Sequence, residues 1–119
     1  MGKYLPRIAL QAHKSDVPIS QADAEMWEVD CPVVGLIHSI QFYCTAIVAT
    51  ASIKVKKNGS DITGAVTPTA GTPSIEEATD PFVNQGDNLT VHVTTDGTGT
   101  ITDLTVTIFI KQQESIARI

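Results

Sequence analysis

Residues 83–110 read VNQGDNLTVHVTTDGTGTITDLTVTIFI, and this stretch decides the fold class. The odd positions of 89–93 and the even positions of 104–110 are apolar, whereas the positions between them are mostly threonine. A period of two filled with β-branched residues predicts half-buried strands. Residues 96–99 read DGTG and tolerate positive φ, so the pattern predicts that the two strands form a hairpin.

The same alternation recurs along the rest of the chain. It covers 25–31, 34–44 and 47–55, with a weaker run at 74–79 that suits an edge strand. The apolar positions change phase after residue 44, which predicts a bulge or corner near Thr45 and Ala46. Strong turn signals stand at 58–59 (Asn-Gly) and 85–88 (Gln-Gly-Asp-Asn). The predicted core comprises Leu36, Ile40, Phe42, Ile53, Val55, Leu89, Val91, Val93, Leu104, Val106 and Ile108.

These patterns predict seven or eight short strands and no helix. Such elements favour an all-β fold, an antiparallel β-sandwich of the jelly-roll type, over residues 25–111. Residues 1–24 are either an extended N-terminal arm or the first strand, because 7–13 alternates only weakly and 14–24 has no apolar period. Residues 112–119 form a polar tail that leaves Ile116 and Ile119 without an obvious partner.

Length, composition and charge argue against some classes of function. The chain has 119 residues, which suits one domain, and a formal net charge of −5, which argues against a nucleic-acid groove because phosphate binding needs a basic patch. No apolar run approaches the roughly 18 residues of a membrane span, and no signal peptide is visible. We therefore expect assembly in a cytoplasm and no membrane partner. Cys31 and Cys44 are expected to be buried hydrophobes.

No set of titratable residues has the spacing of a catalytic or metal site. The histidines, His13, His38 and His92, fall on separate strands, and His38 is expected on the apolar face of its run. Adjacent Glu76 and Glu77 point to opposite faces of a strand. Four aspartates lie in or beside predicted turns, where they commonly cap backbone N–H groups: Asp80, Asp87, Asp96 and Asp103. We predict no enzymatic activity, no metal and no cofactor.

Two aromatic residues interrupt polar faces. Phe109 lies among the threonines of its strand, and Tyr43 lies on the polar side of its own. Exposed aromatics on a sheet are typical of a subunit interface or of a sugar-binding platform. Both interpretations are open at this point.

Three segments carry a resemblance to a known family: 53–62 (IKVKKNGSDI), 83–93 (VNQGDNLTVHV) and 104–108 (LTVTI). The series resembles small β-sandwich proteins of tailed-phage virions, particularly capsid decoration (cement) proteins and fibre-tip domains. The Gly-Asp before a strand is also similar to trimeric jelly rolls of the tumour-necrosis-factor type. The resemblance implies a structural virion protein, a homotrimer that binds the major capsid protein on the outside of the head. A carbohydrate- or receptor-binding module of a phage fibre or tail is the alternative.

The candidate interface residues are Lys3, Arg7, Tyr43, Phe109, Ile116 and Ile119. The early part of the chain is basic in an otherwise acidic protein, which suits contact with an acidic shell. Extended segments can also add as strands to a neighbour's sheet edge. We therefore expect attachment to depend on residues 1–24 more than on the flat faces of the sandwich.

Overall fold

The computed structural model describes residues 7–19, 24–48, 51–95 and 99–113. This part of the chain holds ten strands, and no helix in it is long and apolar enough to cross a membrane. The strands are β1 (Arg7–Ile19), β2 (Ala24–Asp30), β3 (Gly35–Tyr43), β4 (Ala46–Val48), β5 (Ala51–Lys57), β6 (Ser60–Asp61), β7 (Ser74–Glu76), β8 (Phe82–Val83), β9 (Asn88–Thr95) and β10 (Gly99–Gln112).

The strands form two antiparallel sheets. Sheet A has the order β1-β10-β3-β7, with β4 also paired to β10 and β8 to β3, and sheet B has the order β2-β9-β5-β6. From β1 to β3, and again from β8 to β10, each strand lies in the other sheet from the one before it. This wrapping is that of a jelly roll. The prediction of an all-β antiparallel sandwich is confirmed.

The hairpin predicted for residues 83–110 is wrong. β9 pairs with β2 and β5 in sheet B, whereas β10 pairs with β1, β3 and β4 in sheet A. Their apolar sides belong to one core cluster between the sheets. A period of two shows which side of a strand is buried but not which strand lies beside it, and a glycine-rich connection can cross between sheets as readily as it turns back.

The predicted core is buried with one exception. Leu36 is half-buried, and the adjacent Ile37 takes the inward position. The reason is a bulge at His38: Phe109 pairs with Ser39 but Ile110 pairs with Ile37, so His38 has no partner on β10. One extra residue in a strand moves the side chains of all preceding residues to the opposite side of the sheet. His38 is therefore exposed, and its predicted place on the apolar face is wrong.

The first described segment is a strand of the domain's own sheet. β1 pairs with β10 from Arg7 opposite Lys111 to Ile19 opposite Gly99. Of the two interpretations of residues 1–24, arm or first strand, the structure has the first strand over 7–19, which belongs to sheet A. Pro18 is tolerated there because β1 is an edge strand, whose outer side needs no ladder hydrogen bonds.

The predicted turns and corner lie where local chemistry placed them. Asn58 and Gly59 both have positive φ, 51° and 87°, and join β5 to β6 as a two-residue turn. Gly86 has a φ of 95° in the turn before β9. The corner near Thr45 lies between β3 and β4, where the Thr45 hydroxyl donates to Asp103, which itself has a φ of 51°.

Candidate interaction surface

The strand register arranges the outward side chains of sheet A into rows across four strands. One end row runs Arg7, Lys111, Leu36 and Phe82, from β1 through β10 and β3 to β8. The next row places Phe109 between Ala9 and Ser39. The two rows after it are Gln11, Thr107, Gln41 and Ile75, then His13, Thr105 and Tyr43. These fourteen residues are called the outer face of sheet A.

Five large side chains give this face an apolar patch, defined as Leu36, Tyr43, Ile75, Phe82 and Phe109. Ile75 and Phe82 are 65% and 61% exposed, and the other three are half-buried. Neighbours along one side of a strand are about 7 Å apart and diagonal neighbours on adjacent strands about 7–8 Å. At this spacing Leu36, Phe82 and Phe109 are near neighbours, and so are Tyr43 and Ile75. The five side chains come from four strands, β3, β7, β8 and β10.

The outer face of sheet B is charged instead. Its rows run Glu25, His92 and Lys54, and then Glu28, Thr90, Lys56 and Asp61. The Lys54 Nζ lies 3.2 Å and the Lys56 Nζ 3.8 Å from the Asp61 carboxylate. Long charged side chains flank the central strand and bury Thr90 to 5% exposure. The two sides of the sandwich thus offer different chemistry to a partner.

A hydrogen-bonded network closes one end of sheet B. The Asp87 carboxylate accepts from the Asn84 backbone N–H at 2.8 Å and from the Asn58 side-chain amide at 3.1 Å. These donors, first the Asn84 N–H, hold the pKa of Asp87 below its usual range. Asn58 in turn accepts from the Asn88 N–H at 2.9 Å. Asp87 therefore fastens the β5–β6 turn to the turn before β9, which is the capping role expected for it.

The other titratable residues named from the sequence do not cluster into a site. Within 7–19, 24–48, 51–95 and 99–113, no group of three or more His, Cys, Asp or Glu residues could hold a metal ion. Asp80 pairs with Lys57 at 2.7 Å, and His92 contacts the Thr90 hydroxyl at 3.0 Å. Cys31 and Cys44 are both free and buried as expected, and burial raises the pKa of each thiol. Asp96 lies outside the described residues.

The structure places three of the candidate interface residues on one surface. Arg7, Tyr43 and Phe109 come from three strands and all lie on the outer face of sheet A. Lys3, Ile116 and Ile119 lie outside the described residues. The sequence did not single out Phe82 and Lys111, because their importance depends on which remote strand lies beside them.

Comparisons with known proteins inform the fold alone. No protein-family model matches the chain, and no curated protein matches it. The crystal structure of FLHE aligns with 92% of this chain and 100% of that chain, at a TM-score of 0.55 and 11% identity. At that identity the likeness shows a similar fold and not a similar function.

Two further solved structures are more distant. A family 35 carbohydrate-binding module from Clostridium thermocellum aligns with 86% of this chain and 98% of that chain, at a TM-score of 0.48 and 12% identity. The structure of infectious bursal disease virus, Gx strain, aligns with 94% of this chain and 34% of that chain, at a TM-score of 0.48 and 7% identity. At these TM-scores neither likeness bears on the function of the chain.

Proposed function

We propose that this chain is a structural protein of a virus particle, and that it decorates the outside of a tailed-phage head. In this role it ties neighbouring major-capsid subunits together by burying surface across their joints, without chemical catalysis. The observation that carries the proposal is the contrast between the two sides of the sandwich: sheet A exposes an apolar patch, whereas sheet B exposes paired charges. One apolar side is what a protein bound flat on a larger assembly requires. The resemblance of 53–62, 83–93 and 104–108 to capsid decoration proteins supports the same role.

The size of the outer face of sheet A bears on the oligomeric state. Its rows run from Arg7 to His13, about 20 Å at roughly 3.4 Å per residue, and cross four strands about 4.8 Å apart. The face therefore offers on the order of 400 Å², about half of the roughly 800 Å² that each partner buries in a stable interface. One copy would attach weakly through this face alone. A homotrimer presents three such faces, and their linkage raises the overall affinity without new contacts.

A density map of the native particle tests the proposal. We expect jelly-roll density in threefold clusters on the outside of the head, over joints between capsid subunits. Heads prepared without this protein should release their contents at a lower temperature than complete heads, and adding the purified protein should restore the difference. Particles that contain no copy of the protein would refute the proposal.

Carbohydrate binding is a second candidate, favoured by the composition of the same face. Tyr43 and Gln41 are successive outward residues of β3, and a ring beside amide groups can stack on and hydrogen-bond a sugar. A panel of immobilised glycans, probed with the wild type and with Tyr43→Ala, separates the two functions. Binding of a glycan that Tyr43→Ala abolishes would favour the sugar-binding function over the decoration role.

A further inference from the structure

Two cations on the outer face of sheet A lie directly opposite each other. Arg7 on β1 and Lys111 on β10 are register partners, and both are exposed. Like charges at directly opposite positions destabilise a sheet. Neither side chain has a carboxylate within 4 Å in the part of the chain that the structure describes. By contrast, Lys54 and Lys57 each pair with an aspartate.

The apolar patch adjoins this pair of cations. Lys111 is followed in its row by Leu36 and then by Phe82, and Phe109 occupies the next outward position on β10. The protein as a whole carries a net charge of −5, so this corner is basic against the general trend. A surface that fits the corner has carboxylates next to apolar side chains.

We propose that the outer face of sheet A is the surface that docks on the viral shell. The shell presents carboxylates to Arg7 and Lys111 and apolar side chains to Ile75, Phe82 and Phe109. This inference rests on the proposed function. It adds which face of this protein makes the contact and which chemical groups the partner presents to it. It also assigns Arg7, which was expected in a basic N-terminal arm, to a paired strand of the sandwich.

A second copy of the same face is a poorer occupant. Near that side of sheet A, Asp103 already accepts from the Thr45 hydroxyl at 3.2 Å and lies 3.9 Å from His13, and the exposed Glu77 follows directly after β7. Two such faces in contact would desolvate four cations with few anions to receive them, which is unfavourable. The anions must come from a different surface.

The experiment compares two double variants that remove the same charge from opposite sides of the sandwich. Arg7→Gln/Lys111→Gln alters sheet A, and Lys54→Gln/Lys56→Gln is the matched control on sheet B. Each is added to heads of the source virus prepared without this protein, and bound protein is measured by co-sedimentation at low and high salt. We expect the sheet A variant to bind about tenfold more weakly or worse and to lose most of its salt dependence. The control should bind as the wild type does.

Two further measurements separate docking from folding. The melting temperature of free Arg7→Gln/Lys111→Gln should be unchanged or higher, because the substitution removes a repulsion. Ile75→Ser/Phe82→Ser should also fold normally, since both side chains are more than 60% exposed, and yet bind heads at least about tenfold more weakly.

The outcomes distinguish the two proposals. If the wild type does not bind heads, the decoration function and this docking surface both fall. If the wild type binds and both sheet A variants bind equally well, only the docking surface is refuted. If the sheet A variants instead convert a free oligomer to monomers without weakening attachment to heads, the face is a contact between copies, and the inference is likewise overturned.

Discussion

Replacement of Gly35 by alanine tests a close approach between β3 and β10, two strands that carry the apolar patch. Gly35 begins β3 opposite Gln112 of β10, and its φ is not in the left-handed region. A Cβ atom at this position would lie 2.5 Å from the Lys111 carbonyl oxygen and 2.9 Å from the Ile110 Cγ2. Real Cβ atoms essentially never come within 3.0 Å of such neighbours, and the nearest one is backbone. Gly35→Ala must therefore push β3 away from β10.

Such overpacking typically costs about 1–3 kcal/mol. The same substitution also restricts the unfolded chain, which stabilises a protein by about 0.4–1 kcal/mol where the new side chain fits. Gly64→Ala is the matched control, because a Cβ at Gly64 meets nothing within 4 Å and its φ is not positive. Both variants share the unfolded-state effect, so the difference between their free energies of unfolding reports the steric cost alone.

Urea denaturation followed by circular dichroism measures both variants against the wild type. We expect Gly64→Ala to be as stable as the wild type or slightly more so, and Gly35→Ala to be about 1–3 kcal/mol less stable than Gly64→Ala with a similar m-value. Equal stability of the two variants would show that β3 and β10 do not approach each other as described. The register that joins Lys111 to Leu36 would then be wrong as well.

Three further outcomes follow from burial and hydrogen bonding. Ile108→Ala should lower the free energy of unfolding by about 2–5 kcal/mol, because Ile108 is 0% exposed. Thr105→Ala, on the outer side of the same strand, should lower it by less than about 1 kcal/mol. Equal losses for the two variants in urea titrations would contradict the assigned register. The pKa of Asp87 is lowered in the folded state, so as pH falls below about 4 the unfolded state binds a proton first and the protein loses stability. Urea titrations between about pH 3 and 6 measure this loss, which should be smaller in Asp87→Asn than in the wild type. Cys31 and Cys44 are buried, and the pKa of each thiol is raised. Both should therefore react slowly with Ellman's reagent until denaturant exposes them. Rapid reaction in the native protein would contradict their burial.

Local sequence determined the fold class and the inward side of nearly every strand. The alternation at 53–55, 89–93 and 104–110 predicted which side chains are buried, because side chains along a strand alternate sides whatever lies beside it. The Asn58-Gly59 turn was equally local, since two adjacent residues that tolerate positive φ suffice to form it.

Pairing between remote strands was decided by the tertiary structure. Nothing near β9 or β10 in sequence indicates that they belong to different sheets, and the bulge at His38 depends on the register against β10. Both follow from how the whole chain encloses one core, because a strand's apolar side can be buried against more than one neighbour.

The candidate surface was likewise predictable from the sequence in part only. Tyr43 and Phe109 were recognisable from sequence as aromatics that interrupt polar alternation, and Arg7 as part of a basic start to the chain. Their position on one face, with Lys111 beside Arg7, required a register between residues more than 100 positions apart. The charges and apolar side chains are thus encoded residue by residue, whereas the surface that they form together exists only once β1, β3 and β10 lie side by side.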